Sequence, residues 1–189
     1  MAASSSAFVY NTLKAPASGL VWLSTVTASA AATADIEATF NSTYDAYMLV
    51  CSNVRVSSDN TVFGMRLKIA GAYSSGAEYN GISYMSKSSA STYVSINDAA
   101  NTRFRIASDM GNAAGEGGTF TCYFNNPTNT TIRQMCHWHG TFMDATAGAT
   151  ATTVGSGAAV TAGALTGVRF IADAGTISGT FRLYGIANS

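Results

Sequence analysis

His137 and His139 flank Trp138 and are the only histidines in the chain. On a β-strand, residues i and i+2 share a face, so the pair has the spacing to chelate one ion. A zinc site ordinarily takes at least three protein ligands, so a third would have to come from a turn carboxylate or a symmetry-related copy. The other reading makes them surface or interface imidazoles on either side of a core tryptophan. Cys136 precedes His137, and adjacent strand residues point to opposite faces, which prevents the thiolate–imidazole contact a cysteine nucleophile requires. Gly155-Ser156-Gly157 lacks the GxSxG elbow and its strand-to-helix setting. The glycines of 111–118 lack GxGxxG spacing. Ten carboxylates are present, nearly all in expected turns or at strand ends; Glu37 lies inside a strand, pointing away from the core. No spacing supports a glycosidase-like pair. The expectation is a protein that is not an enzyme and carries no cofactor.

Recognition is better provided for. Tyr73, Tyr79, Tyr84 and Tyr93 crowd into a Gly/Ser-rich region, 71–95, that reads as loops with one or two short strands. They are candidates for a glycan or receptor contact; alternatively they fill gaps under loops or form a subunit interface. Arginine outnumbers lysine seven to three, and arginine is preferred in desolvated contacts. Outward Arg66, Arg103 and Arg105 are therefore interface candidates. Phe8, Tyr10 and Leu13 of the stretch 1–19 join them, because they are too sparse to fold alone and suit an arm docked on a neighbour.

What positions these residues is a run of strands. Phe63, Met65, Leu67 and Ile69 alternate with Gly64, Arg66 and Lys68 over Thr61 to Ala70, the period-two signature of a half-buried strand. Arg103 to Ile106 and Ile36 to Phe40 read alike, and further strands are expected at 20–26, 45–56, 92–96, 118–124, 131–139, 165–171 and 179–186. Ser57 to Asn60 and Asn125 to Asn129 are turns. If the second turn makes a hairpin, Phe120, Cys122 and Phe124 join Ile132, Cys136 and Trp138 in the core. Helical spacing is absent. The fold expected is all-β: a two-sheet antiparallel β-sandwich, jelly-roll-like, over 20–189, with an extended N-terminal arm over 1–19. Residues 145–168, uncharged and rich in Ala, Thr and Gly, read as an extended excursion pressed on a partner subunit or as a surface loop. Cys51, Cys122 and Cys136 form no CxxC pair and are expected as buried free thiols.

Only 11% of the 189 residues are charged and the formal net charge is zero, against about 25% charged in ordinary soluble domains. That balance argues against nucleic-acid binding and against a polybasic membrane patch. Residues 15–34 include the apolar run Leu20 to Leu23, yet they are too diluted by polar residues for a signal peptide or a membrane span; synthesis in the cytoplasm without membrane insertion is expected. With no charge to keep copies apart, the surface suits life inside an assembly.

The segments Leu165-Thr166-Gly167-Val168-Arg169-Phe170 and Ile177-Ser178-Gly179-Thr180-Phe181-Arg182-Leu183-Tyr184-Gly185-Ile186 resemble the ending "TGIRF…ISGTxxLYGI" of a group of small tailed-bacteriophage virion proteins. Ser42 to Val50, with Asn53-Val54 and Ser57-Ser58-Asp59, is similar to that group's "STYDAYxxxxxNVxPxxD" strand and turn, with Val56 where the group often has proline. Gly118-Thr119-Phe120 through Asn125-Asn126-Pro127 is similar to its central hairpin. The resemblance implies a jelly-roll-like sandwich of the kind found in head decoration proteins and tail appendages, and no catalytic motif. The expected function is a virion structural protein, a capsid decoration or cement protein that is itself a homo-oligomer, a trimer, and contacts the major capsid protein. The alternative is a tail-fibre or tail-tip module that contacts tail proteins and binds a host surface glycan or receptor.

Overall fold

The alternation in Thr61–Ile69 is realised as a strand: Phe63, Met65 and Leu67 are fully buried while Arg66 and Lys68 lie on the other face. The same logic repeats through the computed structural model, which describes residues 19–37, 40–90, 93–146 and 148–187. Phe8, Tyr10 and Leu13 lie outside the described residues, as does the middle of the Ile36 to Phe40 stretch.

Thirteen strands are found among the described residues, and no helix. They are β1 (Leu20–Ala31), β2 (Thr33–Glu37), β3 (Ala46–Val56), β4 (Thr61–Ile69), β5 (Ala72–Tyr73), β6 (Tyr79–Lys87) and β7 (Tyr93–Asn101), followed by β8 (Phe104–Met110), β9 (Gly118–Asn125), β10 (Arg133–Met143), β11 (Thr150–Ala162), β12 (Leu165–Ala172) and β13 (Ile177–Ile186). They form an eight-stranded sheet ordered β1-β13-β3-β9-β10-β11-β6-β7 and a five-stranded sheet ordered β2-β12-β4-β5, with β8 also paired to β4. Every pairing is antiparallel. The protein is a two-sheet β-sandwich.

Aromatic rings knit the sheets together. Phe63 of β4 stacks on Phe170 of β12 at 5.4 Å, Phe170 meets Phe181 of β13 at 5.0 Å, and Phe63 meets Phe120 of β9 at 5.2 Å. Burying side chains of this size is the main stabilising contribution, and offset ring pairs add to it. Cys51, Cys122 and Cys136 are buried and free within this core. Burial pushes the Cys51 and Cys136 thiols well above their ordinary pKa, so they stay protonated and unreactive.

The stretch 145–168, expected as an excursion or loop, is corrected by β11. This strand sits inside the large sheet, paired with β10 on one side and β6 on the other. Its inward residues are Ala151, Thr153, Gly155, Gly157 and Ala159, small because neighbours fill the space above them. A Cβ on Gly155 would stand 2.4 Å from the Trp138 indole, and one on Gly157 would stand 2.4 Å from Phe104. Gly155-Ser156-Gly157 thus makes room for two large rings.

Ile132, expected in the core, is exposed. It precedes β10 in a bend, where strand alternation does not apply. Buried Gln134 takes the inward position nearby, and its Nε2 donates to the carbonyls of Asn129 and Gly163, each at 2.9 Å.

Candidate functional site

Register carries single rows of side chains across the outer face of the eight-stranded sheet. One row runs Trp22, Tyr184, Met48, Tyr123, His137, Ser156, Ile82 and Asn97, one residue from each strand. The next runs Thr25, Arg182, Val50, Thr121, His139, Val154, Tyr84 and Ser95. At strand spacings of about 4.8 Å, the plate is roughly 34 Å wide. Among outward side chains of its strands, charge is carried by Arg55, Arg133 and Arg182, and none is acidic. Large apolar groups stand exposed on or at the margin of this plate: Trp22, Ile82, Tyr84, Tyr93, Met135 and Val154.

The outer side of the five-stranded sheet is the opposite in character. Lys68 pairs with Glu37 at 2.9 Å, and Arg169 grips both oxygens of Asp35 at 2.7 and 2.5 Å. The Arg169 guanidinium lies 4.1 Å from the Tyr73 ring centre, a cation–π contact. Burial, then the Asp35 and Glu37 carboxylates, pushes the Tyr73 phenol far above its ordinary pKa. The Lys68 hydrogen bond holds Glu37 below the usual carboxylate range.

The three interface arginines fall on this self-paired side. Arg66 Nε donates to the Thr102 carbonyl at 3.0 Å, Arg103 pairs with Asp173, and Arg105 forks onto Asp98 through three hydrogen bonds of 2.5 to 2.9 Å. Each guanidinium is part-buried and engaged within the chain. Their placement ties β8 to β7 and to the β12–β13 turn.

The tyrosines divide. Tyr79 is fully buried, which removes it from the glycan candidates. Its hydroxyl accepts from the Leu67 N–H at 3.1 Å and lies 3.2 and 3.1 Å from the carbonyls of Leu67 and Ser74, to which it can donate. Strand β4 is paired by β8 up to Met65 and by β5 from Lys68; the Tyr79 hydroxyl fills the gap between them. Tyr73 is half-buried under Arg169. Tyr84 and Tyr93 remain on the surface, at 56% and 79% exposure.

His137 and His139 point outward on β10, flanking buried Trp138. The Tyr123 ring of β9 stacks on His137 at 4.8 Å and 11°, and on His139 at 6.2 Å and 26°. The described residues contain no group of three or more His, Cys, Asp or Glu able to hold a metal ion. Cys136 is buried on the opposite face from exposed His137. Ser156 stands across from His137 in register, but no hydrogen bond joins them and no carboxylate backs the imidazole among the described residues. A nucleophile without an oriented base lacks the chain of contacts that activates it.

No protein-family model matches the chain, and no match emerges among curated proteins or solved structures.

What sequence reasoning missed is the broad outer face of the eight-stranded sheet. The signal was present in the outward positions of β10 and β9, but β6 and β11 were needed to extend it.

Proposed function

We propose that this chain is a non-enzymatic virion structural protein of a tailed bacteriophage, a capsid decoration protein that cements the head shell and acts as a homotrimer. The observation that carries this reading is the contrast between its two outer faces. The five-stranded side satisfies its charges with its own ion pairs. The eight-stranded side offers Trp, Tyr, Met and Arg among neutral Ser and Thr, the composition enriched at the centres of protein interfaces, where other charges are depleted. Uncharged hydroxyls and aromatic rings cost little to desolvate compared with carboxylates or ammonium groups. Such a plate docks on protein.

Connectivity supports the same reading. Strands β1, β3, β9 and β13 lie in the large sheet in the order β1-β13-β3-β9, and β2, β4, β8 and β12 lie in the small one as β2-β12-β4-β8. This interleaving is the order expected of a jelly roll, with β6, β7, β10 and β11 as insertions that widen the large sheet and β5 as a two-residue strand added to the small one. Jelly rolls serve in viral capsid and lectin domains. The resemblance of the LYGI-containing strand to phage virion proteins points the same way.

A second reading, a tail-fibre or tail-tip module that grips a host receptor, rests on exposed Tyr84 and Tyr93.

The test is occupancy on heads that lack the protein. Wild-type chain is expected to saturate them in electron micrographs and to bind at least tenfold more tightly than Thr121→Glu or Val154→Glu. Both substitutions place a carboxylate on a face whose outward strand side chains include no acidic group, without touching the core, so the melting temperature should hold. Full decoration by both variants, or protein found at the tail tip alone, would overturn the proposal.

A further inference from the structure

Where β11 crosses the outer face, small side chains run between taller ones. Ser156 lies between His137 and Ile82, and Ala158 lies between Met135 and Asn80, each placed by register. The result is an open trough of about 630 Å³ that Asn125 and Ala99 also line. Its volume is in the range of small-ligand sites. We propose that this trough is a binding site for a neutral saccharide.

The chemistry of the walls selects the ligand class. A pyranose presents an apolar C–H face and a fringe of hydroxyls, so its site needs an aromatic or aliphatic surface beside unengaged polar groups. The trough has both. His137 supplies a ring held in place by the Tyr123 stack, and Ile82 and Met135, both about half exposed, supply aliphatic surface. Asn80 Oδ1 accepts from the Ala100 N–H at 2.8 Å, which fixes the amide and leaves its NH2 to donate. Asn125 and Ser156 add an amide and a hydroxyl to the lining.

Charged ligands fit poorly. Asp98 is the one acidic residue lining the trough, and it is consumed by Arg105 and by Asn101 Nδ2 at 2.8 Å. Among the described residues no lysine or arginine lines it, so a phosphate or carboxylate finds no counter-charge there. Compact apolar ligands need enclosure over most of their surface, and this trough is open along its length. A flat, polar-edged, uncharged ligand remains.

The trough lies on the same outer face as the proposed docking plate, so the saccharide is tested on the free protein and capsid occupancy is measured apart from it. Full-length protein is titrated with cellotetraose, maltotetraose, chitotetraose and mannotetraose by calorimetry and saturation-transfer NMR, with a tetragalacturonate control for charge. At least one neutral tetrasaccharide is expected to bind, with contacts to the His137 ring and the Met135 methyl in the NMR spectrum, and the charged control at least tenfold more weakly. His137→Ala and Asn80→Ala should each weaken binding about tenfold, and Tyr84→Ala, outside the trough, should leave it unchanged. Ser156→Trp fills the trough from its solvent side and keeps the proposal testable if removal of His137 disturbs the fold; it should abolish binding with the melting temperature preserved. No binding of any neutral probe at millimolar concentration, or binding that survives both Ser156→Trp and His137→Ala, overturns the proposal. Loss of capsid binding in Ser156→Trp without saccharide binding by the wild type also overturns it and marks the trough as a protein contact.

Discussion

Replacing Gly155 by alanine tests whether the small residues of β11 exist to accommodate the indole of Trp138. The added Cβ would lie 2.4 Å from Cε2 and Cζ2 of that ring and 2.7 Å from Nε1, whereas ordinary contact begins near 3.4 Å. Relief therefore requires the ring or the strand to move by about 1 Å, the difference between those separations. The indole has little freedom to do so: it is 2% exposed and packs on Phe104 at 5.7 Å between centroids. Overpacking of this kind costs about 1–3 kcal/mol. Against it stands the reduced freedom of the unfolded chain when glycine becomes alanine, about 0.4–1 kcal/mol. The net expectation is a loss of about 1–2 kcal/mol, which at about 2–4 °C per kcal/mol for a chain of this size lowers the melting temperature by about 2–8 °C. Circular dichroism melts read this directly, with Ser156→Ala, on the outward side of the same strand, expected to stay within about 0.5 kcal/mol of wild type. Combining Gly155→Ala with Trp138→Phe should cost less than the two changes summed, because the smaller ring vacates the contested space. A Gly155→Ala protein as stable as wild type would refute the packing account of β11.

Lys87 holds Asp144 at 2.7 Å and Asp109 at 2.9 Å, and the Asp144 side chain is 1% exposed. Burial works to raise the Asp144 pKa, but the Lys87 ammonium and the Thr146 amide outweigh it and hold the carboxyl below its usual range. A lowered folded pKa contributes stability above the unfolded value of about 3.9, lost as pH falls through the folded one. Lys87→Met strands the carboxylate and should cost about 3 kcal/mol at pH 7; in urea unfolding the gap to wild type should narrow toward pH 4 as the stranded group protonates, and a pH-independent gap would contradict this. Tyr79→Phe removes the hydroxyl that completes the β4 edge and should cost about 1–3 kcal/mol through the unpaired Leu67 amide; faster hydrogen exchange at Leu67 is the local readout, and unchanged exchange there would show that another group satisfies it.

Strands with large inward residues were legible in the sequence because alternation is a statement about side-chain size. Phe63, Met65 and Leu67 announce β4, and Phe120, Cys122, Phe124 and Trp138 announce the β9–β10 hairpin, all buried as expected. In β11 the inward residues are glycine, alanine and threonine, and in β6 they include Gly81 and Ser83 beside Tyr79 and Met85. There the core volume comes from Trp138 and Phe104 on other strands, so the local pattern looks like a loop. Of the two readings open for Tyr79, a glycan contact or a filler beneath loops, burial agrees with the second, and the backbone groups of Leu67 and Ser74 that hold its hydroxyl are ones only the fold brings near. The histidine pair was legible as two outward rings, but their stacking on Tyr123 depends on the register between β9 and β10. Arg66, Arg103 and Arg105 were read as outward from alternation alone, which says nothing of the Thr102 carbonyl, Asp173 and Asp98 beside them.

The chain's two tryptophans stand in opposite surroundings: Trp22 is 62% exposed on the same cross-sheet row as His137, and Trp138 is sealed in the interior. The molecule therefore carries two optical reporters of different events. Emission from Trp22 should lie toward the red and be open to iodide quenching until something covers the plate, whereas Trp138 should emit further to the blue and shift only when the sandwich opens. Excitation of a single sample can separate docking from unfolding without any label, and Trp22→Phe leaves a protein whose fluorescence follows the core alone.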